Sequence, residues 1–110
     1  MDFTDYQNKA HSMSINTEIN GDTRLYPILG LCGETGEVAE KLKKLYRDRD
    51  GKVDDQFEEA LVKEMGDILW YVAELCTQFN LDMNAVAEMN IEKLFSRKER
   101  GKIQGDGDNR

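Results

Sequence analysis

Two acidic stretches organise this chain: LCGETGEVAE at residues 31–40 and VKEMGDILWY at residues 62–71. Each contains two carboxylates three residues apart, Glu34 with Glu37 and Glu64 with Asp67, inside an apolar pattern of helical period. Residues at positions i and i+3 lie on one face of a helix. Antiparallel packing of the two helices would therefore bring all four carboxylates together. Because such charges repel one another and are costly to desolvate, the pattern predicts either a bound cation or protonation.

The ligand chemistry of these motifs indicates a hard metal ion. They supply only oxygen atoms, without thiolate or imidazole, and such a set suits Mg²⁺ first and Mn²⁺ second. A single Glu pair is usually an ordinary solvent-facing helix surface, but the doubled motif, with glycine and apolar neighbours in each copy, favours a metal site. A di-iron carboxylate bundle is excluded because it needs Glu-x-x-His on two helices, and the one histidine, His11, has no Glu three residues before it.

Length and composition predict one domain over residues 1–110, with a modest core that leaves room for a dimer. The net charge of −7 argues against broad nucleic-acid binding. No apolar run approaches the ~18 residues of a membrane span, and no signal-peptide core is present, so we expect no membrane partner and a cytoplasmic location. Cys32 and Cys76 lack disulfide or metal spacing, and we interpret both as small core residues.

Hydrophobic periodicity predicts an all-α fold of the four-helix-bundle type, without strands. The helices are expected at about residues 2–13, 23–47, 55–79 and 83–97, followed by an irregular C-terminal tail. Asp82 is the expected N-cap of the fourth helix. Apolar residues at helical spacing on the second, third and fourth helices are expected to face inward: Leu25, Ile28, Leu29, Cys32, Val38, Leu42, Leu45, Phe57, Leu61, Met65, Ile68, Leu69, Val72, Leu75, Cys76, Val86, Met89, Leu94 and Phe95.

Three glycines, Gly30, Gly33 and Gly36, fall inside the second predicted helix. Each costs about 1 kcal/mol relative to alanine, so their presence needs a reason. One reason is close approach of a neighbouring helix, and another is clearance for a ligand beside Glu34 and Glu37. The two explanations are compatible.

Three segments are considered together: LGLCGETGEVAE at residues 29–40, EMGDILWY at residues 64–71 and NIEKLFSR at residues 90–97. Together they resemble the MazG-type nucleotide pyrophosphohydrolases, which belong with the dimeric dUTPases and dCTP pyrophosphatases to the all-α NTP pyrophosphatase superfamily. The resemblance covers about residues 24–110. It implies Mg²⁺-dependent hydrolysis of a (d)NTP between the α and β phosphates, giving (d)NMP and pyrophosphate, in a nucleotide-pool house-cleaning role.

The resemblance also assigns roles to residues. Glu34, Glu37, Glu64 and Asp67 would be the metal ligands, and either Glu34 or Glu37 would act catalytically by polarising the attacking water. The residues implied in binding phosphate or sugar, or placed where they would face the ligand, are Asn90, Lys93, Arg97, Lys41 and Tyr71. A base pocket would draw on Trp70, His11 and Gln7, although Trp70 also suits an ordinary core position. The resemblance further implies a homodimer or a homotetramer.

Two other function classes remain open on the sequence. A non-catalytic helical module that binds nucleotide or protein would explain the acidic surface equally well. A nucleic-acid-binding domain would use the late basic run at residues 93–102, but the rest of the charge pattern opposes it.

Overall fold

The computed structural model describes residues 1–110 and contains four α-helices and no strand. The helices are α1 (Phe3–His11), α2 (Leu25–Arg49), α3 (Asp55–Gln78) and α4 (Met83–Glu99). The predicted all-α fold is confirmed, and each helix boundary lies within two residues of its expected position. The tail after α4 is irregular, as predicted.

Aspartates begin three of the four helices. Asp2, Asp54 and Asp82 each have extended backbone, and their carboxylates accept hydrogen bonds from backbone N–H groups in the first turn. This satisfies donors that a helix start leaves without a partner, and it confirms Asp82 as an N-cap. The α2–α3 connection is short because Asp50 and Gly51 both adopt left-handed backbone there, with φ of 54° and 73°.

The short connection makes α2 and α3 an antiparallel hairpin, and α1 packs across α3. A small core joins α1, α3 and the start of α4 through Ala10, Ala73, Cys76 and Met83. The indole Nε1 of Trp70 donates a hydrogen bond of 3.1 Å to the carbonyl of Ala10 and so fixes α1 on α3. α4 contacts α1 and α3 but does not contact α2.

The arrangement of α4 leaves the single chain open. Its radius of gyration is 17.0 Å, whereas about 13 Å is expected for a compact domain of this length. Nearly all of α4 beyond its first turns is exposed, Phe95 by 63% and Met89 by 69%. An apolar helix face without a covering element indicates an interaction surface.

Several residues predicted to face inward are exposed instead. Cys76 is buried but Cys32 is exposed, so the core assignment of Cys32 is wrong. Helical periodicity identifies an apolar side but not the element that covers it, and within one chain nothing covers the outer sides of α2, α3 and α4. The apolar residues concerned are Ile28, Leu29, Leu42, Met65, Leu69, Val86, Met89, Leu94 and Phe95.

Close approach of a neighbouring helix explains one of the three glycines of α2. A Cβ added at Gly30 would overlap the ring of Tyr71 on α3, so close helix approach explains this glycine. Gly33 and Gly36 have open space where a Cβ would lie, as does Gly66 on α3. Close packing therefore does not require the glycines that flank the acidic residues. None of the four helices is both long and apolar enough to cross a membrane.

Candidate metal centre

The α2–α3 hairpin brings three of the four predicted metal ligands together. One carboxylate oxygen from each of Glu34, Glu37 and Glu64 lies within 4.8 Å of the others. We call these three residues the acidic cluster. Asp67 is exposed and lies outside this triple, but it lines a cavity of about 280 Å³ together with Glu34, Trp70 and Tyr71. Asp67 therefore borders the cluster without joining it in this conformation.

The acidic cluster contains buried oxygens that have no hydrogen-bond partner. They are Oε2 of Glu34 and Oε2 of Glu64. A buried carboxylate oxygen without a donor is destabilising, since it has lost water and gained no compensating bond. A divalent cation held by these oxygens would remove the penalty, and an all-carboxylate donor set is the type that Mg²⁺ prefers. The residues present thus fit the implied metal.

The electrostatics of the cluster agree with this fit. A side-chain hydrogen bond with Glu64, burial, and the negative charges of Glu37, Asp67 and Glu64 raise the pKa of Glu34 to about 7. The same hydrogen bond with Glu34 lowers the pKa of Glu64, and Lys41 adds to that effect. Two carboxyl groups can share such a bond only when one of them carries a proton. Without a cation, this proton is held on Glu34 at pH values below about 7.

Lys41 is the cation that the chain itself supplies to the cluster. Its Nζ lies 3.5 Å from Oε1 of Glu64, so the structure places Lys41 beside the carboxylates. Lys41 also lines a second cavity, of about 330 Å³, together with Lys44 and Arg49. Asp48 lines the same cavity and Arg49 is paired with Asp54, so the cavity carries charges of both signs.

Tyr71 lies one helical turn beyond Asp67 on α3, against Gly30. Its ring stands 6.1 Å from that of Tyr26, measured between centroids, and 5.1 Å from that of Trp70. Burial, followed by a hydrogen bond with Tyr26, raises its pKa to about 12. The phenol stays protonated at neutral pH, and Tyr71 lines the cavity that contains Glu34 and Asp67.

The three predicted phosphate contacts on α4 are not brought to the cluster within one chain. Asn90 and Lys93 are exposed, and neither lines the cavities at Glu34 or at Lys41. Arg97 is buried, and its Nη2 donates a hydrogen bond of 2.6 Å to the carbonyl of Asp108. The tail thus occupies the Arg97 guanidinium, and the sequence carries no signal for this contact.

The three residues predicted for a base pocket have different environments. Gln7 is buried and braces two elements, because its Nε2 donates to the carbonyl of Leu81 and its Oε1 accepts from the N–H of Met83. Nδ1 of His11 lies 3.1 Å from both carboxylate oxygens of Glu74. Trp70 alone lines the cavity beside Glu34.

Sequence reasoning missed a polar group between the α1–α2 loop and α3. It consists of Asn16, Thr23, Glu74 and Gln78, joined by hydrogen bonds. These residues are separated by 55 to 62 positions across the loop-to-helix bonds, so no local motif reveals them.

Comparison with known proteins identifies the family of this chain. Residues 23–101 match the MazG nucleotide pyrophosphohydrolase domain. The chain is also similar to the Gene 37 protein of Mycobacterium phage L5, with 48% identity over 85 residues that cover 77% of this chain and 75% of that protein. No solved structure matches. With the matched segment spanning α2, α3 and α4 and including every carboxylate of the acidic cluster, the chain belongs to the MazG nucleotide pyrophosphohydrolase domain family.

Proposed function

We propose that this protein is an Mg²⁺-dependent nucleoside triphosphate pyrophosphohydrolase that cleaves a (d)NTP between its α and β phosphates. The observation that carries the proposal is the convergence of Glu34, Glu37 and Glu64 with two buried oxygens that lack partners. Membership of the MazG family supplies the reaction class. A house-cleaning role in the nucleotide pool, with Mn²⁺ as a substitute metal, is part of the same proposal, as is a cytoplasmic location, where such substrates occur.

In this proposal the acidic cluster holds the metal, and Asp67 joins it from the edge of the neighbouring cavity. Bound Mg²⁺ would supply Lewis acidity and neutralise phosphate charge. Either Glu34 or Glu37 accepts the proton of the attacking water. Glu37 is exposed and so reaches solvent water, whereas Glu34 already holds a proton when no cation is bound.

Charge complementarity supports the placement of the phosphates. Lys41 is salt-bridged to Glu64, and Lys44 lines the cavity beyond it together with Arg49, which is paired with Asp54. A triphosphate with its metal at the cluster would extend its charged end toward Lys41 and Lys44. Tyr71 lines the cavity that contains Glu34 and would contact the substrate there.

We expect a panel of dNTPs with Mg²⁺ to yield pyrophosphate and the matching monophosphates, because the site has metal ligands and cations but no covalent nucleophile. Mass spectrometry of the products identifies the bond that is cleaved. Release of orthophosphate instead would contradict cleavage between the α and β phosphates. Nucleotide-dependent thermal stabilisation without any product would favour the non-catalytic binding module.

We also propose that the active form is a homodimer or a homotetramer in which α4 lies against another subunit. The apolar side of α4 is exposed, and Asn90 and Lys93 on the same helix do not reach the cluster of their own chain. A second copy can cover this surface and bring Asn90 and Lys93 near a cluster. The open shape of the single chain supports this assembly.

The assembly can be tested by placing a charge on its proposed interface. Phe95→Lys is expected to lower the mass measured by light scattering to that of a monomer and to abolish pyrophosphate release, because a lysine cannot be buried there without a partner. Glu99→Lys, an exposed change at the end of α4, serves as the control. A Phe95→Lys protein that keeps the wild-type mass and activity would contradict the proposed interface.

A further inference from the structure

A cavity of about 240 Å³ lies between the α1–α2 loop and the facing sides of α2 and α3. Trp70 and Tyr71 line this cavity and also line the one that contains Glu34 and Asp67. The two cavities are therefore neighbours that share an aromatic wall. We call the cavity beside the α1–α2 loop the loop cavity.

The lining of the loop cavity identifies the chemistry of its occupant. Its apolar and aromatic lining residues are Met13, Ile15, Tyr26, Pro27, Trp70 and Tyr71. Its polar lining comes from the loop residues Ser14, Asn16, Thr17 and Thr23 and from Glu74 and Gln78 on α3. No lysine or arginine lines it, so it is not built for phosphate. Its volume is below the ~300–1,000 Å³ of pockets that hold whole drug-sized ligands. A neutral, flat heterocycle with hydrogen-bonding edges suits it.

A chain of hydrogen bonds fixes the orientation of the amide side chains that line the loop cavity. It starts at Glu74, which is 2% exposed and whose carboxylate can only accept. The amide Nε2 of Gln78 must therefore face Glu74, and it lies 2.9 Å from Oε1. The same Nε2 donates to Oδ1 of Asn16 at 3.0 Å, and Oε1 of Gln78 accepts from the hydroxyl of Thr23 at 2.6 Å.

Asn16 is the residue of this hydrogen-bond chain whose donor groups remain available at the loop cavity. Because its Oδ1 accepts from Gln78, the Asn16 amide keeps two N–H donors without a partner, and Asn16 lines the loop cavity. The orientation of each amide in the chain follows from the acceptor-only carboxylate at its start. At Asn16 the loop cavity thus offers donors to an occupant.

We propose that the loop cavity binds the nucleobase of the substrate, and that Asn16 favours bases carrying an exocyclic carbonyl oxygen. Glu74 is a positioning residue: it acts through Gln78 to keep the Asn16 donors directed at the base. This inference rests on the proposed function, since the phosphates of the same molecule occupy the acidic cluster. Adenine, which has no carbonyl, is the disfavoured base.

The test is Asn16→Asp, which replaces the donor by an acceptor of the same shape and leaves the bond from Gln78 intact. We expect KM for dNTPs with carbonyl-bearing bases to rise about tenfold, the equivalent of one hydrogen bond, with kcat nearly unchanged. KM for dATP should change least, so the KM values for the different bases should become more similar. Asn80→Asp is a matched control, because Asn80 is also exposed and has a φ of 57° against 50° for Asn16.

Glu74→Gln provides a second measurement. The amide of the new glutamine can present either its oxygen or its NH₂ group to Gln78, so the orientation of the Gln78 and Asn16 amides is no longer fixed. When the variant folds, we expect its KM values for the different bases to become more similar, as in Asn16→Asp. An Asn16→Asp protein that keeps the wild-type KM for every base would overturn the inference. If the wild type cleaves no dNTP, the proposed function fails instead. In that case, calorimetric titration of free nucleosides into wild type and Asn16→Asp tests whether the loop cavity binds a base. Equal affinity for all bases would overturn the inference.

Discussion

Glu64→Gln is expected to reduce pyrophosphate release on the order of 1,000-fold, to near background. The Glu64 carboxylate faces Glu34 and Glu37 from α3 and also holds Lys41 at 3.5 Å. Replacing this carboxylate by a neutral amide would remove a metal ligand and would also remove the salt bridge to Lys41. Raising the Mg²⁺ concentration should restore little of the activity, because a neutral amide is a much weaker ligand than a carboxylate.

The fold should survive this substitution. The pKa of Glu64 is lowered by its hydrogen bond with Glu34 and by Lys41, so its ionised form is favoured in the folded protein. A neutral amide loses these interactions, so the unfolding temperature in EDTA should fall slightly while the helical content stays unchanged. Circular dichroism and thermal unfolding check this outcome. Glu59→Gln is the matched control on the same helix, because Glu59 is exposed and paired only with Lys63. Loss of folding in Glu64→Gln would show that the carboxylate is structural, and retained turnover would remove it from the metal centre.

The sequence predicts the acidic cluster because its geometry is local. Spacing of three residues puts Glu34 and Glu37 on one helix face, and a short connection forces α2 and α3 to be antiparallel. The side chain of Glu64 must then meet this pair. Asp67, one turn further along α3, reaches the neighbouring cavity instead.

Contacts between distant segments could not be predicted in this way. The tail carbonyls that occupy Arg97 lie in a segment without any hydrophobic pattern. The bond between Gln78 and Asn16 joins a helix end to a polar loop, where many pairings are compatible with the sequence. Exposure of Leu29 and Phe95 depends on which element covers them, and periodicity contains no information about that element.

The affinity for Mg²⁺ is expected to fall about tenfold per pH unit below pH 7 and to level off above it. The pKa of Glu34 is raised to about 7 by its hydrogen bond with Glu64 and by its negative neighbours, from an ordinary value of 4.5. Metal binding requires the ionised carboxylate, so below pH 7 each binding event must displace one proton. Calorimetry in two buffers of different ionisation enthalpy should detect about one released proton at pH 6 and almost none at pH 8.

The same titration sets the sign of the effect on stability without metal. Between pH 4.5 and about 7 the folded protein keeps a proton on Glu34 that the unfolded chain has lost. A state that binds more protons is favoured at lower pH, so the free energy of unfolding contributed by Glu34 falls as pH rises through this range. Glu34→Gln cannot titrate, and the difference in unfolding temperature between wild type and this variant in EDTA should change between pH 5 and pH 8. A difference that stays constant over that range would show that Glu34 ionises at its ordinary pKa, and the acidic cluster would then not share a proton.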